Sequence, residues 1–236
     1  MTLIDTSVFA ALLLAAIWSY YSGKLTHTGA TAGFLTGLLI YKGAALTGLA
    51  TLATFFTVST AATKWQTNKK TAIGAAEKNK GRRTAAQVLA NGGVAAILGL
   101  TGWQLPEKAS VVQLMIAGSL AAATADTLSS ELGMIYGRRF FNILTFKKDS
   151  CGLNGVISIE GTLIGLIGAM LIAAVYAVIV GWNIAFCWIT LAGLIGNLVD
   201  SILGAVFERR GLMGNNLVNF LNTMAGAWVC WMAVGV

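Results

Sequence analysis

Apolar residues run along this chain in long blocks separated by polar breaks, at residues 6–22, 28–41, 43–63, 84–101, 110–134, 157–181, 184–207 and 216–235. A bilayer crossing takes about 20 residues of helix, so most of these blocks are long enough to span. The second, of about 14 residues, is short for a crossing and is expected to be re-entrant or to tilt with its neighbour. Gly48, Gly92, Gly93, Gly161, Gly165, Gly168, Gly193 and Gly196 fall inside the blocks, where small residues let helices approach closely. Gly161 and Gly165 form a GxxxG pair, read here as helix packing. The pattern predicts an all-α, polytopic transmembrane helix bundle of about seven or eight spans. It covers residues 1–236 as a single domain and leaves no stretch for a separate soluble one.

Composition narrows this further. Hydrophobic residues make up 56% of the 236 positions and charged residues 11%, against about 25% charged in a soluble domain. That excludes a soluble globule, a disordered chain and a disulfide-rich secreted module. The formal net charge of +7 would suit nucleic acid in a soluble protein, but here the basic residues lie between apolar blocks. They are read as loops of a membrane protein, with no nucleic-acid partner. Cys151, Cys187 and Cys230 have no CxxC spacing and are read as small apolar fillers. The first apolar block follows no positively charged n-region and is expected to remain as a helix.

The loops supply an orientation. With eight spans, one side receives Lys24, then Lys64, Lys69, Lys70, Lys78, Lys80, Arg82 and Arg83 of the loop near 64–83. It also receives Arg138, Arg139, Lys147 and Lys148 of the loop near 137–152, and Arg209 and Arg210 of the loop near 208–215. Fourteen of the 16 basic residues fall on this side, leaving Lys42 and Lys108 opposite. The positive-inside rule makes the basic side cytoplasmic and puts both termini outside. If the short second block does not cross, the N-terminus moves inside while the basic loops stay together.

The scarce polar groups of the helices gather at that same side. Asp126 and Glu131 lie towards the inner end of the fifth block, Glu160 opens the sixth, and Asp200 and Glu208 close the seventh. Gln87 and Asn91 begin the fourth, and Asn215, Asn216, Asn219 and Asn222 begin the eighth; His27, the only histidine, opens the second. Any one such residue is cheap at a helix end, where it is solvated. A transporter is expected to place several near the midplane, whereas an interfacial enzyme gathers them where a lipid headgroup meets cytosolic solutes.

Three segments carry specific chemistry. In the first, Asp126 shares a helix face with Ser129 and Ser130, while Glu131, five residues on, needs a helix end or local unwinding to join them. The second, Asp149-Ser150-Cys151-Gly152-Leu153-Asn154-Gly155, leads through Ser158 to Glu160 and Gly161 as a glycine-rich turn entering a helix. Backbone N–H groups in such a turn can bind phosphate, although no Walker A motif follows. The third, Gly196-Asn197 to Asp200-Ser201 and Glu208, echoes the first. Mg²⁺ takes one or two carboxylates plus phosphate oxygens and water, so Asp126 and Asp200 on different helices suit it. Lys78, Lys80, Arg82, Arg83, Arg138 and Arg139 suit the neutralisation of phosphates, beside their topological role. One histidine leaves no His-rich zinc site and no Ser-His-Asp set.

At these residues the sequence resembles a membrane family that includes plant phytyl-phosphate kinase and animal transmembrane protein 19. The resemblance is carried by Arg83 to Gly93 with Gln87 and Asn91, by Ala125-Asp126-Thr127 with Ser130-Glu131 and Gly133, and by Gly155 to Thr162. Gly196 with Asp200-Ser201, Gly204 and Glu208, and Asn215-Asn216 with Asn219, Asn222 and Thr223, complete it over residues 24–236. It implies a Mg²⁺-dependent prenyl-phosphate kinase that passes the γ-phosphate of a nucleoside triphosphate, CTP by preference, to an isoprenoid monophosphate. Asp126, Glu131 and Asp200 are then expected as catalytic and metal-binding residues, with Glu160 and Glu208 as further metal ligands. Arg82, Arg83 and Arg139 are expected to bind phosphates and Asn91, Asn154, Ser158, Asn219 and Asn222 to orient them. The partners would be the isoprenoid lipid, the nucleotide and the membrane, with the active site facing the cytoplasm. A prenol kinase, a CDP-lipid-forming cytidylyltransferase, a lipid or small-solute transporter, and a purely structural membrane protein stay open beside this reading.

Overall fold

The computed structural model describes residues 3–72 and 81–235; Lys78 and Lys80 lie outside them. The helices are α1 (Leu3–Tyr21), α2 (His27–Lys64), α3 (Thr67–Ala72), α4 (Ala85–Gln104), α5 (Ala109–Tyr136), α6 (Ile159–Val180), α7 (Ala185–Leu203) and α8 (Asn215–Met232). Between α5 and α6 lies a two-residue antiparallel pair, β1 (Phe141–Asn142) and β2 (Val156–Ile157), with Phe141 opposite Ile157. The expected all-α bundle without a separate soluble domain is what the described residues form.

Helix α2 decides the topology. Its 38 residues would reach about 57 Å if straight, nearly twice the ~30 Å hydrocarbon core. The backbone instead leaves the helical region at Ala45, with φ 49° and ψ −145°. Residues across that point face each other. A Cβ built on Gly48 would lie 2.7 Å from Ile40 Cγ2, and one on Gly37 would lie 3.7 Å from Leu52 Cδ2. Fifteen residues of straight helix would hold positions 37 and 52 about 22 Å apart, so α2 is a hairpin with arms 27–44 and 46–64. The block at 28–41 therefore crosses. It gains length by starting at the Thr26 cap, whose hydroxyl accepts from the Gly29 N–H at 3.1 Å, and by running on to Ala44.

Among the described residues six helical segments are long and apolar enough to span a membrane, with α2 counted once. Its two arms make seven passes. Helix α8, diluted by four asparagines, adds an eighth by lying antiparallel against α5, where Gly226 would bring a Cβ within 2.7 Å of Ala122. α1 and the first arm of α2 are antiparallel: Lys42 Nζ meets Asp5 Oδ1 at 3.4 Å at one end of the molecule, while Leu25 bridges to Arg83 at the other. Lys42 and Lys108 sit at the first end, and the remaining basic residues among those described sit at the second. The sequence-based separation of charge is thus a separation in space.

Close packing of small residues fixes this frame. Leu120, Ala121, Ala122 and Ala123 at the centre of α5 are fully buried, and α6, α7 and α8 all close on them. The GxxxG pair does pack a helix: Gly161 lies against Ser129 and Gly133, and Gly165 against the Ala125 carbonyl. On the other side, the first arm of α2 and α4 run parallel in contact at Gly43 and Gly99. A Cβ on Gly99 would come within 2.7–2.8 Å of the backbone of Leu39 and Ile40. Gly99→Val is therefore expected to cost about 1–3 kcal/mol, read as a lower melting temperature in detergent. Gly33→Ala, whose Cβ would meet only Leu25 Cδ1 at 3.6 Å, is the neutral control.

Candidate active site

At the basic end, α4, α5, α7, α8 and the loop before α6 enclose a polar cleft of about 340 Å³. Helix ends supply most of its wall, for local reasons written in the sequence. Thr84 and Gln87 form a capping box at the start of α4, with the Thr84 N–H donating to Gln87 Oε1 at 2.9 Å. Ser158 caps α6 by accepting from the Gly161 N–H at 3.0 Å. The loop before α6 is pressed onto the end of α7. Gly155, at φ +74°, leaves a Cβ only 2.6 Å from the Ala205 backbone nitrogen, so glycine is required there on both counts.

Asp126 of α5 and Asp200 of α7 both line this cleft, and their carboxyl groups are within hydrogen-bonding reach of each other. Behind them, the fully buried Asn222 of α8 donates Nδ2 to Asp200 Oδ1 at 2.8 Å. Glu208 also lines the cleft. An α-helix would carry it about 80° around from Asp200, but Gly204–Glu208 forms a π turn, which winds less per residue and swings it back toward Asp200's face. Asn154 lines the same wall as Glu208. Arg83, Asn91, Ser158 and Asn219 complete the expected residues on the wall, and Gln87, Ser129, Asn197 and Asn215 join them.

Five expected residues are placed differently. Glu131 reaches the cleft wall but not the Asp126 carboxyl, because α5 runs unbroken to Tyr136 and keeps the two about 140° apart around the helix. Its partner is Lys70 of α3, whose Nζ lies 2.5 Å from Glu131 Oε2 and also donates to the Ala62 and Thr63 carbonyls. Glu160 stands outside the cleft and accepts from the Arg138 N–H at 3.4 Å. Arg82 turns away to the Tyr20 and Leu25 carbonyls, at 3.3 Å each, where it braces the α1–α2 turn. Arg139 is exposed and off the wall. Asn222 supports Asp200 from behind rather than lining the space. His27 is likewise exposed, with its ring against Tyr20.

Sequence reasoning missed Lys70 as a partner of Glu131, since nothing in a run of loop lysines marks one of them as buried. It also passed over Gln87 as a cap, although Thr84-x-x-Gln87 carries the capping-box signature. Below the cleft, Arg209 donates Nη1 to Asp149 Oδ2 at 2.8 Å and Nε to the Asn154 carbonyl at 3.1 Å. These bonds tie the loop to the end of α7, and the Arg209 hydrogen bond holds the Asp149 carboxyl below the usual carboxylate range.

Among the described residues no group of three or more His, Cys, Asp or Glu is set to hold a metal on its own. Two adjoining carboxylates nevertheless make a hard oxygen donor pair that suits a divalent cation with ligand oxygens and water. Their surroundings fit: the direct side-chain donor to Asp200 is an amide, and Asn91 Oδ1, with Nδ2 engaged by the Gln87 carbonyl, is a buried acceptor without a partner among the described residues.

Comparison with known proteins identifies the family of this chain. Residues 10–227 match the family described as integral membrane protein DUF92. Protein VTE6, chloroplastic, of Arabidopsis thaliana is 35% identical over 214 residues, which cover 87% of this chain and 64% of VTE6. This chain thus spans less than two thirds of VTE6's length. Protein PGR of the same plant is 34% identical, over 86% of this chain and 80% of its own. An uncharacterized membrane protein of Methanocaldococcus jannaschii is 32% identical over 93% and 91%. No solved structure matches the chain. With a matching family model over most of its length and relatives above 30% identity, the chain belongs to the DUF92 family of multi-pass integral membrane proteins, the family of VTE6 and PGR.

Proposed function

We propose that this protein is a membrane-embedded prenyl-phosphate kinase that transfers the γ-phosphate of a nucleoside triphosphate, CTP by preference, to an isoprenoid monophosphate. The observation that carries the reading is the meeting of Asp126 and Asp200, 74 residues apart in sequence on helices that run parallel in the bundle, at the wall of a polar cleft on the basic end. The kinship with VTE6 and the resemblance to the phytyl-phosphate kinase family support the substrate class.

Asp126 and Asp200 would hold Mg²⁺, with Glu208 beside them, and the ion would supply charge neutralisation on the phosphate oxygens. Asn222 keeps Asp200 turned into the cleft. Arg83 sits where it can neutralise the acceptor phosphate, and Asn91 and Asn219 orient it. Asn154, Ser158 and the backbone of the glycine-rich turn face the donor phosphates. An oxygen of the acceptor monophosphate attacks the γ-phosphorus, the bond from that phosphorus to the β–γ bridging oxygen breaks, and the nucleoside diphosphate leaves with the electron pair. The acceptor is already anionic near neutral pH, so positioning and neutralisation suffice and no histidine base is needed. The positive-inside rule points this end of the bundle to the cytoplasm, where nucleotide is found.

The test is incubation of the purified protein with Mg²⁺, each nucleoside triphosphate and a panel of prenyl monophosphates. The expected product is the prenyl diphosphate carrying the γ-label of CTP. Transfer of the α-label would instead make the protein a cytidylyltransferase, and phosphorylation of free prenol alone a prenol kinase. Flux into proteoliposomes without nucleotide consumption would make it a transporter.

A further inference from the structure

A second cavity lies on the far side of Arg83. It is an apolar groove of about 500 Å³ between α1, both arms of α2 and the start of α4. Arg83, Gln87 and Asn91 line both this groove and the polar cleft, so the two spaces adjoin at those three side chains. The Arg83 guanidinium lies at the junction, 5.6 Å from the Phe55 ring centre. From there the groove runs toward the opposite end of the bundle, with Ser19 near its inner limit on α1 and Val8 near its outer one. Eleven residues of helix separate these, about 16 Å. Small residues at Ala11, Gly33 and Ala53 leave the space open, and α1 packs chiefly on α2, so the groove has a side facing lipid.

We propose that this groove holds the isoprenoid chain of a prenyl monophosphate, with its phosphate at Arg83 and its terminal unit beside Val8 and Leu46. The identity of the occupant rests on the kinase reading; the location rests on the two cavities that adjoin at Arg83. An apolar groove ending at a cation that also borders an acidic, amide-lined cleft suits a single chain with one anionic head. An extended chain advances 3.3–3.6 Å per three bonds, so an isoprene unit of four backbone bonds covers about 4.6 Å, and the groove takes about three to four units. The carboxylates of Asp126 and Asp200 then lie beyond the headgroup, on the side where the donor enters.

The experiment uses the full-length protein in lipid nanodiscs and a three-unit prenyl monophosphate bearing a diazirine on its terminal unit. Photolabelling is expected at residues 8–15 or 46–53. Unlabelled three- and four-unit monophosphates should compete, and diacyl phosphatidic acid should not. Gly33→Phe should reduce the labelling at least about tenfold, while Val178→Phe, on the exposed face of α6, leaves it unchanged. Labelling spread over exposed helix faces, insensitivity to Gly33→Phe, or equal competition by phosphatidic acid would overturn the proposal. The readout does not depend on turnover. Labelling in the groove without diphosphate formation would count against the kinase reading alone, and diphosphate formation with labelling elsewhere would count against the groove alone.

Discussion

Asp200→Asn and Asp126→Asn are each expected to lower phosphoryl transfer by at least about 100-fold, a loss typical of removing one electrostatic contact to a transition state. The two carboxyl groups meet in the cleft, and transfer to a phosphate depends on charge neutralisation more than on covalent chemistry. The same variants are expected to fold as well as the parent or better, because each removes one of two like charges held together in a confined site. Product formation from labelled CTP gives the first readout, and thermal unfolding in detergent with varied Mg²⁺ gives the second. Added Mg²⁺ should stabilise the parent and lose that effect in both variants, since only a state that binds the ion gains from it. Full transfer activity in either variant would remove that residue from the metal site.

Lys70 and Glu131 are expected to show the largest stability effect. Their side chains are 2% and 10% exposed and 2.5 Å apart, and Lys70 also serves two backbone carbonyls at the end of α2's second arm. Removing either partner leaves a buried charge alone, so Lys70→Met or Glu131→Leu should cost about 3–5 kcal/mol. The pair Lys70→Met with Glu131→Leu should recover most of that loss, because the matching charge has gone too. Unfolding midpoints of the two single variants and the double variant form the cycle that measures the coupling. Simple additivity would mean that the ion pair does not join α3 to α5 energetically. Glu131 would then return as a candidate for direct work in the cleft.

How far each site residue was legible depends on how local its placement is. Asp126, Ser129 and Ser130 on one face follow from helix periodicity alone. Glu208 does not, since its turn toward Asp200 depends on the π turn that closes α7. Glu131 was expected to bend back to Asp126 through a helix end, but α5 stays helical through Tyr136 and hands it to Lys70. Arg82 and Arg83 are neighbours with the same side chain and the same charge. One braces a turn and the other lines the cleft, because the bridge between Leu25 and Arg83 points alternate residues to opposite sides. Asn222 reads as one of four asparagines opening a helix, and only its burial behind Asp200 separates it from the others.

By itself the sequence determined that this is a membrane bundle, where most of its spans lie, and which end collects the charge. Those properties depend on the free energy of placing each side chain in hydrocarbon or in water, a quantity each segment carries on its own. The family follows as well, since its motifs lie along the chain. Only the tertiary structure decided that α2 folds back at Ala45, that two aspartates from separate helices meet, and that the polar cleft adjoins an apolar groove through Arg83, Gln87 and Asn91. These are relations between segments, set by glycine and alanine contacts that allow helices to close on one another, and a linear pattern of apolar blocks does not contain them.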